Sequence, residues 1–187
     1  MEYTLGTLCG IDEAGRGPIA GDLVIAGCIL NSAIEGLNDS KKLTEKKREL
    51  LYERIVESSD YHIVVFSPIQ VDEDGISKCL ASGLKEIMLK LKCEHYLFDG
   101  NTTFGVENLT TMVKADSKII EVSAASILAK VTHDRNIIQD SIKYPQYFFH
   151  KHKGYGTKLH IQMIKENGYC PIHRRSYKVK ALQGTLF

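Results

Sequence analysis

The chain has 187 residues, 43% of them hydrophobic, and a formal net charge of +1, which suits one well-packed core and leaves too little for a second large domain. Five cysteines, Cys9, Cys28, Cys79, Cys93 and Cys170, are too scattered and odd in number for a disulfide framework, so a reducing cytosol is expected. The Met1-Glu2-Tyr3 start lacks the basic segment of a leader and no apolar run nears the roughly 20 residues of a membrane span, so the expectation is a soluble, unprocessed, cytoplasmic protein.

Leu8 to Asp12 reads as a first strand that runs into Ile11-Asp12-Glu13-Ala14-Gly15-Arg16-Gly17-Pro18. Carboxylate oxygens are the hard ligands Mg²⁺ prefers, glycines let backbone N–H groups approach a substrate, and Arg16 adds a cationic fork. The octet therefore points to metal-assisted chemistry on a phosphate, although an Asp-Glu pair alone reads far more readily as a solvated strand-to-loop corner. Neighbours on a regular strand face opposite ways, so Asp12 and Glu13 share one pocket only if the strand ends or bends there.

Leu23 to Leu30 is a second strand. A helix capped by Thr44 is expected to run to about Val56, with Glu45 in its first turn. His62 to Ser67 is a third strand, stopped by Pro68. Asp72 to Lys92 is predicted as one helix, because Ile76, Leu80, Leu84, Ile87 and Leu91 fall at spacings of three and four. Tyr96 to Phe98 is a short strand ending at Asp99-Gly100, and another begins near Thr111 and stops at Asp116. Ser123 to about Ile142 forms a long helix, its small residues suited to close packing on a sheet. Thr157 to Glu166 is a last helix. Short β-branched runs alternating with helices define an α/β fold.

Three of these strands end in acids, Asp12-Glu13, Asp99 and Asp116. Neighbouring strand ends would gather four carboxylates, which like-charge repulsion disfavours unless cations neutralise them. Two divalent ions about 4 Å apart are the natural counter-charge, and they suit an in-line phosphoryl displacement. Residues 143–187 carry nine Lys/Arg against the single acid Glu166, interleaved with Tyr144, Tyr147, Phe148, Phe149, His150, His152 and Tyr155. That mix fits a nucleic-acid groove as well as an ordinary basic helix and tail. Cys170 and His173 find no second pair at zinc spacing and are expected to be packing or surface residues.

Blocks along nearly the whole chain resemble the signatures of bacterial ribonuclease HII, the type 2 ribonuclease H. Beyond the octet they are Asp39-Ser40-Lys41-Lys42-Leu43, Val71-Asp72-Glu73, Phe98-Asp99-Gly100, Lys114-Ala115-Asp116, the run from Ser123 to Arg135, His152-Lys153-Gly154-Tyr155-Gly156-Thr157 and Pro171-Ile172-His173-Arg174-Arg175-Ser176-Tyr177. The resemblance implies a ribonuclease H-like mixed sheet flanked by helices, with residues 1–142 as catalytic domain and 143–187 as a basic helical extension and tail packed on it. It implies an endoribonuclease that hydrolyses the RNA strand of RNA–DNA hybrids and cuts 5′ to ribonucleotides embedded in duplex DNA, leaving 3′-hydroxyl and 5′-phosphate ends. Repair by ribonucleotide excision is the implied setting.

By the same resemblance Asp12, Glu13, Asp99 and Asp116 are the catalytic acids and hold two divalent ions, Mg²⁺ or Mn²⁺, with Asp12 bridging them. Gly15, Arg16 and Gly17 surround the 2′-hydroxyl, the group by which proteins tell RNA from DNA, and Tyr155 contacts it while stacking on the next sugar. Ser40, Lys41 and Lys42 are candidate phosphate contacts, and Asp134 supports the site, although a surface role suits Asp134 too. Gln183-Gly184-Thr185-Leu186-Phe187 resembles the Gln-x-x-Leu-Phe peptide that docks on the sliding clamp. A monomer is expected. Ala115 and His133 depart from the glycine and arginine common in the family. Rival readings are another nuclease of this fold, such as a junction resolvase or ribonuclease HIII, and a nucleic-acid-binding adapter that has lost catalysis.

Overall fold

Every residue of the run LVIAGCIL is buried, and this segment, Leu23–Leu30, is the central-layer strand β2. A computed structural model describes residues 4–37 and 43–182 of the chain. Strand β1 is Leu8–Ala14, β3 is Ser59–Phe66, β4 is His95–Asp99 and β5 is Thr110–Met112. They form one sheet in the order β3-β2-β1-β4-β5. β1 and β3 flank β2 antiparallel, whereas β4 runs parallel to both β1 and β5. The sheet is therefore mixed, as expected.

Both faces are covered, which is why β2 has no polar side chain. Leu23, Ile25 and Ile29 alternate with Val24, Ala26, Cys28 and Leu30, and the two sets enter separate cores. The first packs on helices α2 (Pro68–Asp74) and α3 (Ile76–Lys90) through Val71, Leu80, Leu84 and Ile87. The second packs on α1 (Glu45–Ser58) through Leu51 and Ile55, and on α4 (Ile120–Lys143) through Ala124, Ala125, Leu128 and Ala129. Thr44 caps α1, its side chain accepting from the Lys47 N–H at 3.3 Å.

Two elements differ from expectation. The single helix over 72–92 is two helices, because a capping box of Ser67 and Gln70, with Pro68 at the first helical position, starts α2 early and Gly75 at φ 78° breaks it. The fifth strand stops at Met112; Lys114 takes a left-handed φ of 57° and turns the chain into a short 3₁₀ turn, Ala115–Ser117, that carries Asp116.

The chain beyond α4 forms two further helices, α5 (Phe149–His152) and α6 (Lys158–Asn167). Phe149, Met163, Ile164 and Cys170 pack with Ile19, Ala20 and Ile137 in a third core. A β-bridge joins Ala20 to His173, and Gly21 N–H donates to the Ile172 carbonyl at 2.9 Å. The late segment thus encloses the loop between β1 and β2. Among the described residues no helix is long and apolar enough to cross a membrane.

Candidate active site

Strand register brings the first two acids together. Ile11 of β1 lies beside Phe98 of the parallel β4, so Asp12 and Asp99, one residue further on, start from the same face of adjacent strands. Asp116 arrives on its 3₁₀ turn, which Asp99 ties in place by accepting the Ala115 N–H at 3.0 Å. One carboxylate oxygen from each of Asp12, Asp99 and Asp116 lies within 4.8 Å of the other two. Asp12 and Asp116 are buried and Asp99 is half-buried.

Glu13 does not join that trio. β1 stays regular through Ala14, which pairs with Val24, so the pleat starts the Glu13 side chain from the opposite face. The bend expected between the two acids comes later. Glu13 reaches Arg16, with Oε1 3.6 Å from the guanidinium, and its Oε2 is buried without a hydrogen-bond partner.

Burial raises the Asp12 pKa well above the ordinary carboxylate value, and the charges of Glu13 and Asp99 add to the rise; hydrogen bonds from Ser126 and the Glu13 backbone oppose it. The Glu13 N–H donates to Asp12 Oδ1 at 2.8 Å. Burial also raises Glu13, with Arg16 pulling it down and Asp99 pushing it up. Carboxylates this close form a site that favours a cation, and an all-oxygen donor set suits a hard divalent ion.

Beside the acids lies a pocket of about 340 Å³ lined by Glu13, the Gly15-Arg16-Gly17 turn, Arg48, Ser126, Lys130 and Tyr155. A Cβ on Gly15, at φ 87°, would meet the Asp22 carbonyl at 2.3 Å and the His133 ring at 2.7 Å, so only glycine fits this turn. Tyr155 faces Gly17 from across the pocket, 3.7 Å from where a Gly17 Cβ would stand, and Lys130 Nζ lies 5.9 Å from its ring centre. Arg48 and Lys130 are cationic lining residues that composition and spacing did not single out.

Ser126, Lys130 and Asp134 recur every four residues on α4, one ridge facing β1 and the pocket. Asp134 accepts from Lys130 at 2.8 Å and contacts His133 Nδ1 at 3.0 Å. Burial alone would raise the Asp134 pKa, but these hydrogen bonds bring it below the usual value. Arg135 points away, to Glu49 and Glu53 of α1. Ser40, Lys41, Lys42 and the tail from Gln183 to Phe187 lie outside the described residues.

The Tyr155 backbone is held by a histidine relay. His160 Nδ1 pairs with the Tyr155 carbonyl at 2.9 Å, His160 Nε2 with His173 Nε2 at 3.0 Å, and His173 Nδ1 accepts the Cys170 N–H at 2.9 Å. Those partners fix one neutral tautomer for each ring, with protons on His160 Nδ1 and His173 Nε2. Burial lowers His160 to about 3 and His173 to about 4. Unfolded histidines protonate near about pH 6.5, so as pH falls from there towards about 4 the unfolded chain binds protons that the fold refuses. Stability is expected to drop by about 1.4 kcal/mol per pH unit for each ring. Denaturation midpoints followed from about pH 7 to about pH 4.5 check this, and a flat profile would contradict the neutral relay.

The family model for ribonuclease HII matches residues 9–180. A ribonuclease HII of Sulfurovum sp. (strain NBC37-1) is 61% identical over 188 residues, covering 100% of each chain. Among solved structures, the PCNA:RNase HII complex from Archaeoglobus fulgidus contains a similar chain, with a TM-score of 0.81 at 29% identity, covering 93% of this chain and 96% of that one. Ribonuclease H2 from Pyrococcus horikoshii OT3 gives a TM-score of 0.75 at 29% identity, covering 91% and 93%.

Proposed function

The chain belongs to the ribonuclease HII family and is a type 2 ribonuclease H endonuclease, and we propose that it cuts on the 5′ side of ribonucleotides embedded in duplex DNA as well as within RNA–DNA hybrids. The observation that carries this is the juxtaposition of three carboxylates within 4.8 Å with a cation-lined pocket whose wall is the Gly15-Arg16-Gly17 turn.

Asp12, Asp99 and Asp116 would hold divalent ions, Mg²⁺ or Mn²⁺, with Glu13 contributing from beside them. Two such ions, when bound, polarise the scissile phosphate and supply a water nucleophile near neutral pH. The protein's own groups do the rest. Arg16, Arg48 and Lys130 neutralise phosphates along the pocket, with Ser40, Lys41 and Lys42 as further phosphate contacts. The main chain of Gly15 and Gly17, bare of side chains, comes close enough to exchange hydrogen bonds with a 2′-hydroxyl, which both donates and accepts. Tyr155 presents its ring to the sugar that follows, where a deoxyribose permits close stacking. Asp134 orients Lys130 through their 2.8 Å hydrogen bond. Cleavage on this geometry leaves 3′-hydroxyl and 5′-phosphate ends. Free thiols at all five cysteines suit a cytoplasmic setting.

A labelled duplex carrying one ribonucleotide, beside an all-DNA duplex of the same sequence, tests the reading. Cutting is expected only with the ribose and only with Mg²⁺ or Mn²⁺; cleavage of the all-DNA duplex, or cleavage in EDTA, would overturn it. The acids are intact, which speaks against an adapter without catalysis.

The Gln183–Phe187 pentapeptide supports docking on a sliding clamp, and the Archaeoglobus relative was solved with PCNA. Deleting residues 183–187 is expected to abolish clamp affinity without changing turnover on a short duplex; undiminished affinity ends the idea.

A further inference from the structure

We propose that Arg174 and Tyr177 are positioning residues for ribose discrimination, setting from behind the shape of the turn that meets the 2′-hydroxyl; this rests on the reading of that turn given above. The Arg174 side chain is 1% exposed and spends its donors on main-chain oxygens of one loop. Nη1 donates to the Gly15 carbonyl at 2.6 Å and the Pro18 carbonyl at 3.1 Å. Nε and Nη2 donate to the Gly21 carbonyl at 3.0 and 2.7 Å. Nη1 also donates to the Tyr177 hydroxyl at 3.0 Å, and that hydroxyl in turn donates to the Arg16 carbonyl at 2.9 Å. Three carbonyls across residues 15–21 are thereby held by one buried cation, and the fourth, that of Arg16, by the tyrosine hydroxyl bonded to it.

Two further contacts show that the clamp is built in. The Arg174 guanidinium lies over the Tyr177 ring, 5.2 Å from its centre. Asp72, at the end of α2, accepts the Arg175 N–H at 2.7 Å and both the N–H and hydroxyl of Ser176, which anchors the segment carrying the clamp. A planar fork can serve several oxygens at fixed angles, which a lysine ammonium on a flexible stem cannot. Buried carbonyls bonded to a cation are costly to release, so the loop stays in one geometry. Because the turn reads the ribose with its backbone, an error in carbonyl direction becomes an error in discrimination.

The test uses the full chain and two duplexes of one sequence, one with a single ribonucleotide and one all-DNA, with binding measured by anisotropy in EDTA and cleavage rates in Mg²⁺. Tyr177→Phe removes a single oxygen and keeps the ring. It is expected to reduce the binding preference for the ribonucleotide duplex roughly tenfold, with kcat falling in parallel, while all-DNA binding and the thermal midpoint change little. Arg174→Lys is expected to erase the preference. Equal weakening on both duplexes, or an unchanged preference in Tyr177→Phe, would overturn the positioning role, and the phenylalanine variant decides should the lysine variant fail to fold. If the unaltered enzyme itself showed no ribose preference, the reading of the turn would fall first and this proposal with it.

Discussion

Asp99→Asn and Asp116→Asn are each expected to lower the cleavage rate by roughly 10³-fold, a barrier increase of about 4 kcal/mol, as befits loss of one charged ligand from the divalent-ion site proposed above. Asparagine keeps the size of the side chain and an oxygen that accepts, so the Ala115 N–H that Asp99 receives at 3.0 Å need not lose its partner. Only the charge goes. Duplex binding is expected to persist, because Arg16, Arg48 and Lys130 are untouched and a carboxylate that repels phosphate has been removed. With EDTA present, the thermal midpoint should not fall, since relieving repulsion among Asp12, Asp99 and Asp116 offsets small packing changes. Single-turnover rates, anisotropy and melting curves on the same variants check all three. Near-normal turnover in either variant would remove that carboxylate from the metal set.

Gly10→Ala is expected to destabilise the fold by about 3 kcal/mol or more, although Gly10 touches no substrate. Gly10 sits on the α4 side of β1, two residues before Asp12. A Cβ there would lie 2.3 Å from the Glu121 carbonyl carbon and 2.3 Å from the Val122 nitrogen, both main-chain atoms in the first turn of α4. Backbone cannot rotate aside as a side chain can, so helix and strand must separate. That separation also pulls Ser126 from Asp12. Chemical denaturation should show the lost stability, and turnover at a permissive temperature should fall with it. A variant of normal stability would show that α4 yields more easily than close packing allows.

Much of this was legible before any coordinates. The apolar run of β2, rich in β-branched residues, read as a strand, and the small residues at 124–129 anticipated the tight seat of α4. Glu13 illustrates what alternation does and does not reveal. Period-two geometry forbids adjacent residues from sharing a face, and the strand's length, fixed by its pairing to Val24, decided that Glu13 would meet Arg16 rather than the trio. The strand that begins near Thr111 was expected to run to Asp116; the left-handed Lys114, a conformation that sequence gives little sign of, makes Asp116 part of a turn instead. The join at Gly75 was hidden because the apolar spacing of α3 starts only at Ile76, whereas the signals of α2 are a cap and a proline rather than a stripe.

The site's cations were harder to find. Lys130 sits in the Ser123–Arg135 run, yet its place beside the pocket shows only in the four-residue rhythm with Ser126 and Asp134, polar positions interleaved with the buried Ala125, Leu128 and Ala129. Arg174 lies in the Pro171–Tyr177 block of the resemblance, but nothing there marked it as buried. A basic residue in a basic segment reads as solvent-facing, and nothing short of the fold reveals that it lies 1% exposed beneath a loop near the other terminus.

That distance has a consequence for how the enzyme comes into being. The hydrogen bond from Arg174 to Gly15 spans 159 positions of sequence, so a ribosome releases the acids and the glycine turn long before it supplies the residue that shapes the turn. A nascent polypeptide that has emerged only as far as Asp116 therefore carries the acids proposed to attract a cation but lacks the guanidinium proposed to set its preference for one sugar.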